Sequence, residues 1–284
     1  MALPAQSFIL DLLSTLRRGT MPVSALVEAG ALFGVEGNAT RVALARLVAS
    51  GQVVSDERGR YRLGAGMWAQ RRVGAWRQLD DEARRWSGAW IGIHAGPVAR
   101  VRARRDRQGR EWALRLLGFR HLTSGLAVRP DNLRRGIDAL RGELVAQGLP
   151  PGDLVFVVSA FDAVTEARAR ALWDVAGLRA TYRSMRAQLA KSARRLDRLE
   201  AREAMVESFR LGGRVIRQLV LDPRLPEAIC PGAEREALRA ALQQYDRLGR
   251  VAWAAFLKRY DVPHMATDTP ADTRLASVVR RRAL

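Results

Sequence analysis

The sequence predicts an α+β protein of several domains, and three observations carry that prediction. Residues 34–63 read as a short helix followed by a basic hairpin. Residues 90–160 read as strands and helices in the order β-α-β-β-α-β, and the chain beyond residue 164 reads as helical.

The first domain is expected over residues 1–66. Residues 5–18 place Phe8, Ile9, Leu12, Leu13 and Leu16 on one helical face, and Gly19 closes that helix. Pro22 is expected in the first turn of a second helix, where a missing N–H costs nothing. That helix carries Val23, Leu26 and Val27 and runs out near residues 30–34. In the third helix Ala43, Leu44, Leu47 and Val48 recur at helical spacing and should face a core. Asn38, Arg41, Val42 and Ala45 fall on another face, where short side chains let a helix lie deep in a groove. Gly51, free to take positive φ, ends the helix. Residues 52–55 and 60–63 then alternate around a turn at 56–59, the pattern of a hairpin. Helix followed by basic hairpin is the ending of a winged helix-turn-helix, whose recognition helix enters the major groove while the wing touches flanking backbone. Double-stranded DNA is therefore the expected partner.

Residues 67–88 are expected to be a linker, with Trp68, Trp76 and Trp86 as packing points. The second domain, 89–163, opens on the strand WIGIHA. A helix over 107–117 is carried by Trp112, Leu116 and Leu117. Two short strands at 119–122 and 126–129 flank Thr123, Ser124 and Gly125. Pro130 and Asp131 should open a helix through Ile137, Leu140, Leu144 and Val145, and DLVFVVSA (153–160) is a last, strongly apolar strand. This is the element order of a ferredoxin-like fold. The third domain, 164–284, is expected to be all helical, with Thr165 as the cap of a long amphipathic stretch through Leu172, Leu178, Tyr182 and Leu189. Further helices are expected over roughly 201–221 and 233–260. The segment DPRLPEAICPG separates them, because three prolines forbid a continuous helix. Arg280, Arg281 and Arg282 read as a solvated basic end.

Composition narrows the partner. The chain of 284 residues carries 48 basic against 29 acidic side chains, a formal charge of +19, which favours a polyanion. Nearly all the basic charge is arginine, since Lys191 and Lys258 are the sole lysines, and it is spread along the whole chain. Cys230 stands alone, which excludes an internal disulfide or a cysteine-built zinc site. No apolar run approaches the length needed to span a bilayer, and the N-terminus lacks the basic region of a signal peptide, so a soluble cytoplasmic protein with no membrane partner is expected.

On the DNA-binding surface the candidates are Asn38, Thr40, Arg41 and Arg46 of the third helix and Arg58, Arg60 and Arg62 of the wing. Arg41 is the choice for bidentate contact with a guanine edge, Arg46 for phosphate or for bracing the helix through an ion pair, and Asn38 for adenine or for capping the helix. Of the three wing arginines, the two that alternate outward should meet phosphates. Catalysis is not expected. His94, His121 and His264 show no metal-ligand spacing, Ser124 and Ser159 lie outside any nucleophile motif, and no phosphate-binding glycine motif occurs. An alternative class is a nucleic-acid-processing protein that uses the ferredoxin-like domain as a metal-dependent nuclease. Against it, the first strand ends Ile93-His94-Ala95-Gly96 with no carboxylate, and Asp106 lies beyond it. Neither cofactor nor metal is expected.

Three motifs in order resemble one family. GVEGNATRVALARLVASGQV is similar to the recognition helix of the PaaX family, bacterial repressors of phenylacetate catabolism and related regulators, with Arg41, Ala43, Leu44, Arg46 and Leu47 at matching positions. RLLGFRHLTSGLAVRPDN resembles that family's second signature through Leu116, Leu117, Gly118, Phe119, Leu122, Gly125 and Pro130. Trp173, Tyr182, Phe209 and DPRLP (222–226) follow in the family's order. Gly37 and Asn38 stand where the family usually has an acidic and then a basic residue. Cys230, Pro231 and Gly232 stand where it tends to have a tryptophan. The resemblance implies a homodimeric repressor on a palindromic operator, released by an acyl-coenzyme A thioester of the phenylacetyl type. No residue is assigned to that effector.

Overall fold

The computed structural model describes residues 4–16, 20–64, 84–95 and 104–263. Gly19, Trp68, Trp76, His264 and the arginines at 280–282 lie outside the described residues, as does the side chain of Asp106. The chain divides into two compact units. One comprises Met1–Gly74, Met185–Ile216 and Arg239–Leu284, and the other Ala75–Ser184 and Arg217–Leu238.

The first unit opens with α1 (Ala5–Thr15), β1 (Met21–Pro22), α2 (Val23–Leu32), α3 (Gly37–Ala49), β2 (Val53–Ser55) and β3 (Arg60–Leu63). Pro22 lies just before α2 rather than within its first turn, because it pairs with Arg60 in a three-stranded antiparallel sheet of order β1-β3-β2. Phe8, Ile9, Leu12 and Leu13 of α1 are buried, as the helical spacing requires. They pack with Leu26, Phe33, Leu44, Leu47 and Val53. The same core takes in Met205, Trp253, Phe256, Leu257 and Val262 from much later in the chain, so the first 66 residues do not close it alone. Phe33 lies 5.0 Å from both Phe8 and Phe209, a cluster of three rings at the centre. Val48 departs from expectation and is 36% exposed, on the edge of the apolar stripe.

The second unit holds β4 (Trp90–His94), α4 (Arg104–Leu116), β5 (Arg120–Thr123), β6 (Leu126–Pro130), α5 (Ile137–Ala146) and β7 (Leu154–Val158). The strands form one antiparallel sheet of order β5-β6-β4-β7. One face, with Ile91, Ile93 and Ala127, packs on Leu114, Leu117, Leu140 and Leu144 of α4, α5 and the adjoining turn. The opposite face, with Trp90 and Val128, packs on Ala169, Trp173, Leu225 and Cys230. The helix expected from residue 130 starts at Ile137 instead. Val145 is 38% exposed.

After β7 come α6 (Ala163–Arg170), α7 (Val175–Leu196), α8 (Ala201–Val220) and α9 (Ala233–Arg259). Where the apolar spacing suggests one long helix from Thr165, the structure has two. Asp162 caps α6 by accepting from the amides of Val164 and Thr165, and the Thr165 hydroxyl merely donates to that carboxylate. Asp174 restarts the helix by accepting from the Gly177 amide at 2.8 Å.

The DPRLP segment is a junction where the sequence motifs of this unit meet. Asp222 is buried and accepts from the Tyr182 hydroxyl and, at 2.7 Å, from the Arg224 amide. Burial of the phenol and the adjacent Asp222 carboxylate hold the Tyr182 proton on well above the ordinary tyrosine range. Gly118 has φ of 78°, and a Cβ there would fall 2.9 Å from backbone atoms of Pro223. Arg129, 1% exposed, donates to the carbonyls of Leu117 and Pro223 and to Asn132 Oδ1, while Asn132 donates to the Arg224 carbonyl at 2.7 Å.

Candidate nucleic-acid interface

Two glycine stops set the position of α3. Gly34, at φ 75°, ends α2, and the Val35 amide turns back to the Gly30 carbonyl. Gly51, at φ 70°, ends α3, with its own amide bonded to the Val48 carbonyl and the Gln52 amide to the Leu47 carbonyl. Thr40, Ala43, Leu44 and Leu47 are the buried residues of the helix. Thr40 was expected at the DNA surface, but it is fully buried and its hydroxyl donates to the Glu36 carbonyl. Its Oγ1 lies 2.9 Å from where a Cβ on Gly30 would be, so Thr40 fills the close crossing of α2 and α3. Asn38, Arg41, Val42, Ala45 and Arg46 are exposed. No side chain caps the N-terminus of α3, which removes the capping role considered for Asn38.

The hairpin is held by Asp56, whose Oδ1 accepts from the amides of Arg58 and Arg60 at 3.0 and 2.8 Å. Arg58 and Arg62 are exposed, with Arg62 opposite Val54 in the ladder. Arg60 is committed within the protein. Its guanidinium donates to the Thr20 hydroxyl at 2.8 Å, the Thr20 carbonyl at 3.1 Å and the Asp261 carbonyl at 2.7 Å. A cation suits that place because the carbonyls just past α9 form the negative end of a helix. Beside it Glu28 of α2 accepts from the Tyr260 hydroxyl and from Arg259. Alternation along β3 could not reveal Arg60's role, since its partners lie 40 residues away at Thr20 and 201 away at Asp261. The same holds for Glu28, Tyr260 and Asp261, which carry no local signal of this function.

Two expectations follow. Arg60→Ala should cost about 2 kcal/mol of stability, because it strips charged donors from carbonyls at the end of α9. Arg62→Ala should leave stability unchanged, and differential scanning calorimetry of both variants checks the contrast. Glu28 gives a pH dependence. The Tyr260 hydroxyl first, and Arg259 with it, holds the Glu28 carboxyl below its ordinary value. A carboxyl lowered by folding adds stability above the ordinary value of about 4.3 and loses it as pH falls through the lowered one. Below about pH 4.3 the wild type should therefore lose stability faster than Glu28→Gln, as Tm measured against pH would record.

Among the described residues no group of three or more His, Cys, Asp or Glu is placed to hold a metal ion. The His121 ring nitrogen Nε2 lies 3.0 Å from a Glu111 carboxylate oxygen at the surface, and His94 lies at the solvent end of β4. No helix among the described residues is long and apolar enough to cross a membrane.

With this geometry in place, comparison with known proteins decides the family. Residues 4–66 match the family described as PaaX-like protein, and residues 173–259 match the PaaX-like protein C-terminal domain; together they span more than half the chain. The chain belongs to the PaaX family. Membership places it among transcriptional regulators. No curated protein matches it. An uncharacterized protein of Mycobacterium tuberculosis has a similar solved structure, with a TM-score of 0.56 over 92% of this chain and 98% of that one, at 24% identity. At that identity the likeness speaks for the fold alone.

Proposed function

We propose that this PaaX-family member is a repressor that binds a palindromic operator as a homodimer and is released by an acyl-coenzyme A thioester. In this reading residues 5–63 are a winged helix-turn-helix, with α3 as recognition helix and β2–β3 as wing. The β-α-β-β-α-β unit is ferredoxin-like, as its sheet order β5-β6-β4-β7 supports. The observation that carries the proposal is α3 itself. It is buried on one side only, exposes Asn38, Arg41, Val42, Ala45 and Arg46 on the other, and is followed inside the family match by a hairpin with Arg58 and Arg62 exposed. Thr40 and Arg60 drop out of the contact set. Two recognition helices in a dimer would lie about one DNA turn, or a multiple of it, apart. An effector that favours a different spacing would release the operator through its differential affinity for the two states.

Fluorescence anisotropy on DNA from the protein's own upstream region tests this, with phenylacetyl-CoA and other acyl-CoA thioesters as titrants. Sequence-selective binding abolished by one thioester is the expected result. Binding indifferent to sequence and thioester would sink the regulator reading and leave a basic nucleic-acid binder.

A further inference from the structure

Resting on the reading of α3 as a recognition helix, a finer assignment follows from where its side chains point. A helix advances about 100° per residue. Thr40, Ala43, Leu44 and Leu47 occupy the buried arc. Opposite the middle of that arc lies a crest of Asn38, Val42, Ala45 and Ala49, all exposed. Arg41 falls about 70° to one side of the crest and Arg46 about 70° to the other. The crest is short and uncharged, and no acidic residue occurs from Gly37 to Ser55. Flanking cations with a neutral, low ridge between them match a groove with phosphates along both walls and base edges at its floor.

We propose that base sequence is read by the crest and that the two arginines hold the groove walls. Asn38 takes an adenine edge through its paired donor and acceptor. Val42, 45% exposed and apolar, packs on a thymine 5-methyl group, with Ala45 short enough to let the helix approach. The thymine methyl is the apolar feature that the major groove offers, which makes it the matching surface for an exposed valine there. Arg41 and Arg46 pair with phosphates on opposite strands. This moves Arg41 from guanine readout to anchoring. The selected site should therefore carry A·T pairs under the centre of each recognition helix.

The test uses the full chain. Binding sites are selected from random duplex DNA, and each dT of the enriched site is replaced singly by dU, which removes only the methyl group. One replacement should weaken wild-type binding about fourfold, the effect of one buried methyl. Val42→Ala should weaken binding to the parent site by a similar factor and show no further loss on that dU duplex. Arg41→Ala and Arg46→Ala should each reduce the salt dependence by about one ion while enriching the same sequence. The assignment is overturned if every dU duplex binds the wild type like its parent, if Val42→Ala keeps the methyl sensitivity, or if Arg41→Ala enriches a different site. Selection that enriches no sequence at all would overturn the regulator reading together with it. An enriched site without methyl sensitivity would overturn the crest assignment alone.

Discussion

Arg129→Ala should destabilise the second unit by about 3–5 kcal/mol. The guanidinium is 1% exposed and serves the carbonyls of Leu117 and Pro223 and the side chain of Asn132. Truncation leaves those acceptors buried without their donor and opens a cavity beside Phe119, whose ring lies 5.9 Å from the guanidinium carbon. Arg129→Lys should recover only part of the loss, because a single ammonium cannot span acceptors that the planar fork reaches together. Urea denaturation followed by tryptophan fluorescence checks both variants, since Trp90 and Trp173 lie in this unit. A loss under about 1 kcal/mol for the alanine variant would show that the carbonyls find other donors. The turn Leu117-Gly118-Phe119, the segment Arg129–Asn132 and DPRLP (222–226) meet at this one side chain, which ties these distant stretches of sequence together physically.

The second large effect is expected at Asp153, which is fully buried and pairs with Arg110 Nε at 2.8 Å. Asp153→Ala should cost about 3–5 kcal/mol, because the buried guanidinium would lose its close counter-charge and keep only a 3.5 Å contact with the exposed Glu111 carboxylate. Arg110 Nη2 already lacks a hydrogen-bond partner among the described residues, so the cation has little to fall back on. Replacing both partners together, Arg110→Met with Asp153→Leu, should restore most of the stability, since desolvating an ion pair offsets much of its attraction. Urea denaturation of the single and double variants gives the coupling directly. Equal losses in single and double variants would mean that packing, not charge, dominates the site.

Much of the fold can be read locally because its signals are local. Apolar residues three and four apart mark α1 and α3. Gly34 and Gly51 end α2 and α3, where a positive φ is needed, and the alternation around Asp56 marks the hairpin. The residues that escape such reading have partners distant in sequence or a choice between neighbours. Thr40 looks like a surface polar residue until its hydroxyl is seen satisfied by the carbonyl four residues back, which lets it be buried. Arg60 looks like a wing cation until the end of α9 is folded against it. Between Asp162 and Thr165 both can cap a helix, and the carboxylate takes the amides. The crest of α3 follows from helical spacing alone. The packing of Leu44 and Leu47 into the core agrees with that spacing, while the exposure of Val48 at the edge of the stripe does not follow from it.

The exposed stripe of α3 also bears on how such regulators diverge. Asn38, Val42, Ala45 and Ala49 lie outside the core, and surface replacements of that kind change stability by about 0.5 kcal/mol or less. Arg129 and Asp153 sit at the other extreme, where a single change removes a large share of a typical folding free energy. With the proposed crest readout, target preference and foldability are written in separate residues. After gene duplication, copies can acquire new binding sites one crest substitution at a time, with no compensating mutation elsewhere and the scaffold unchanged.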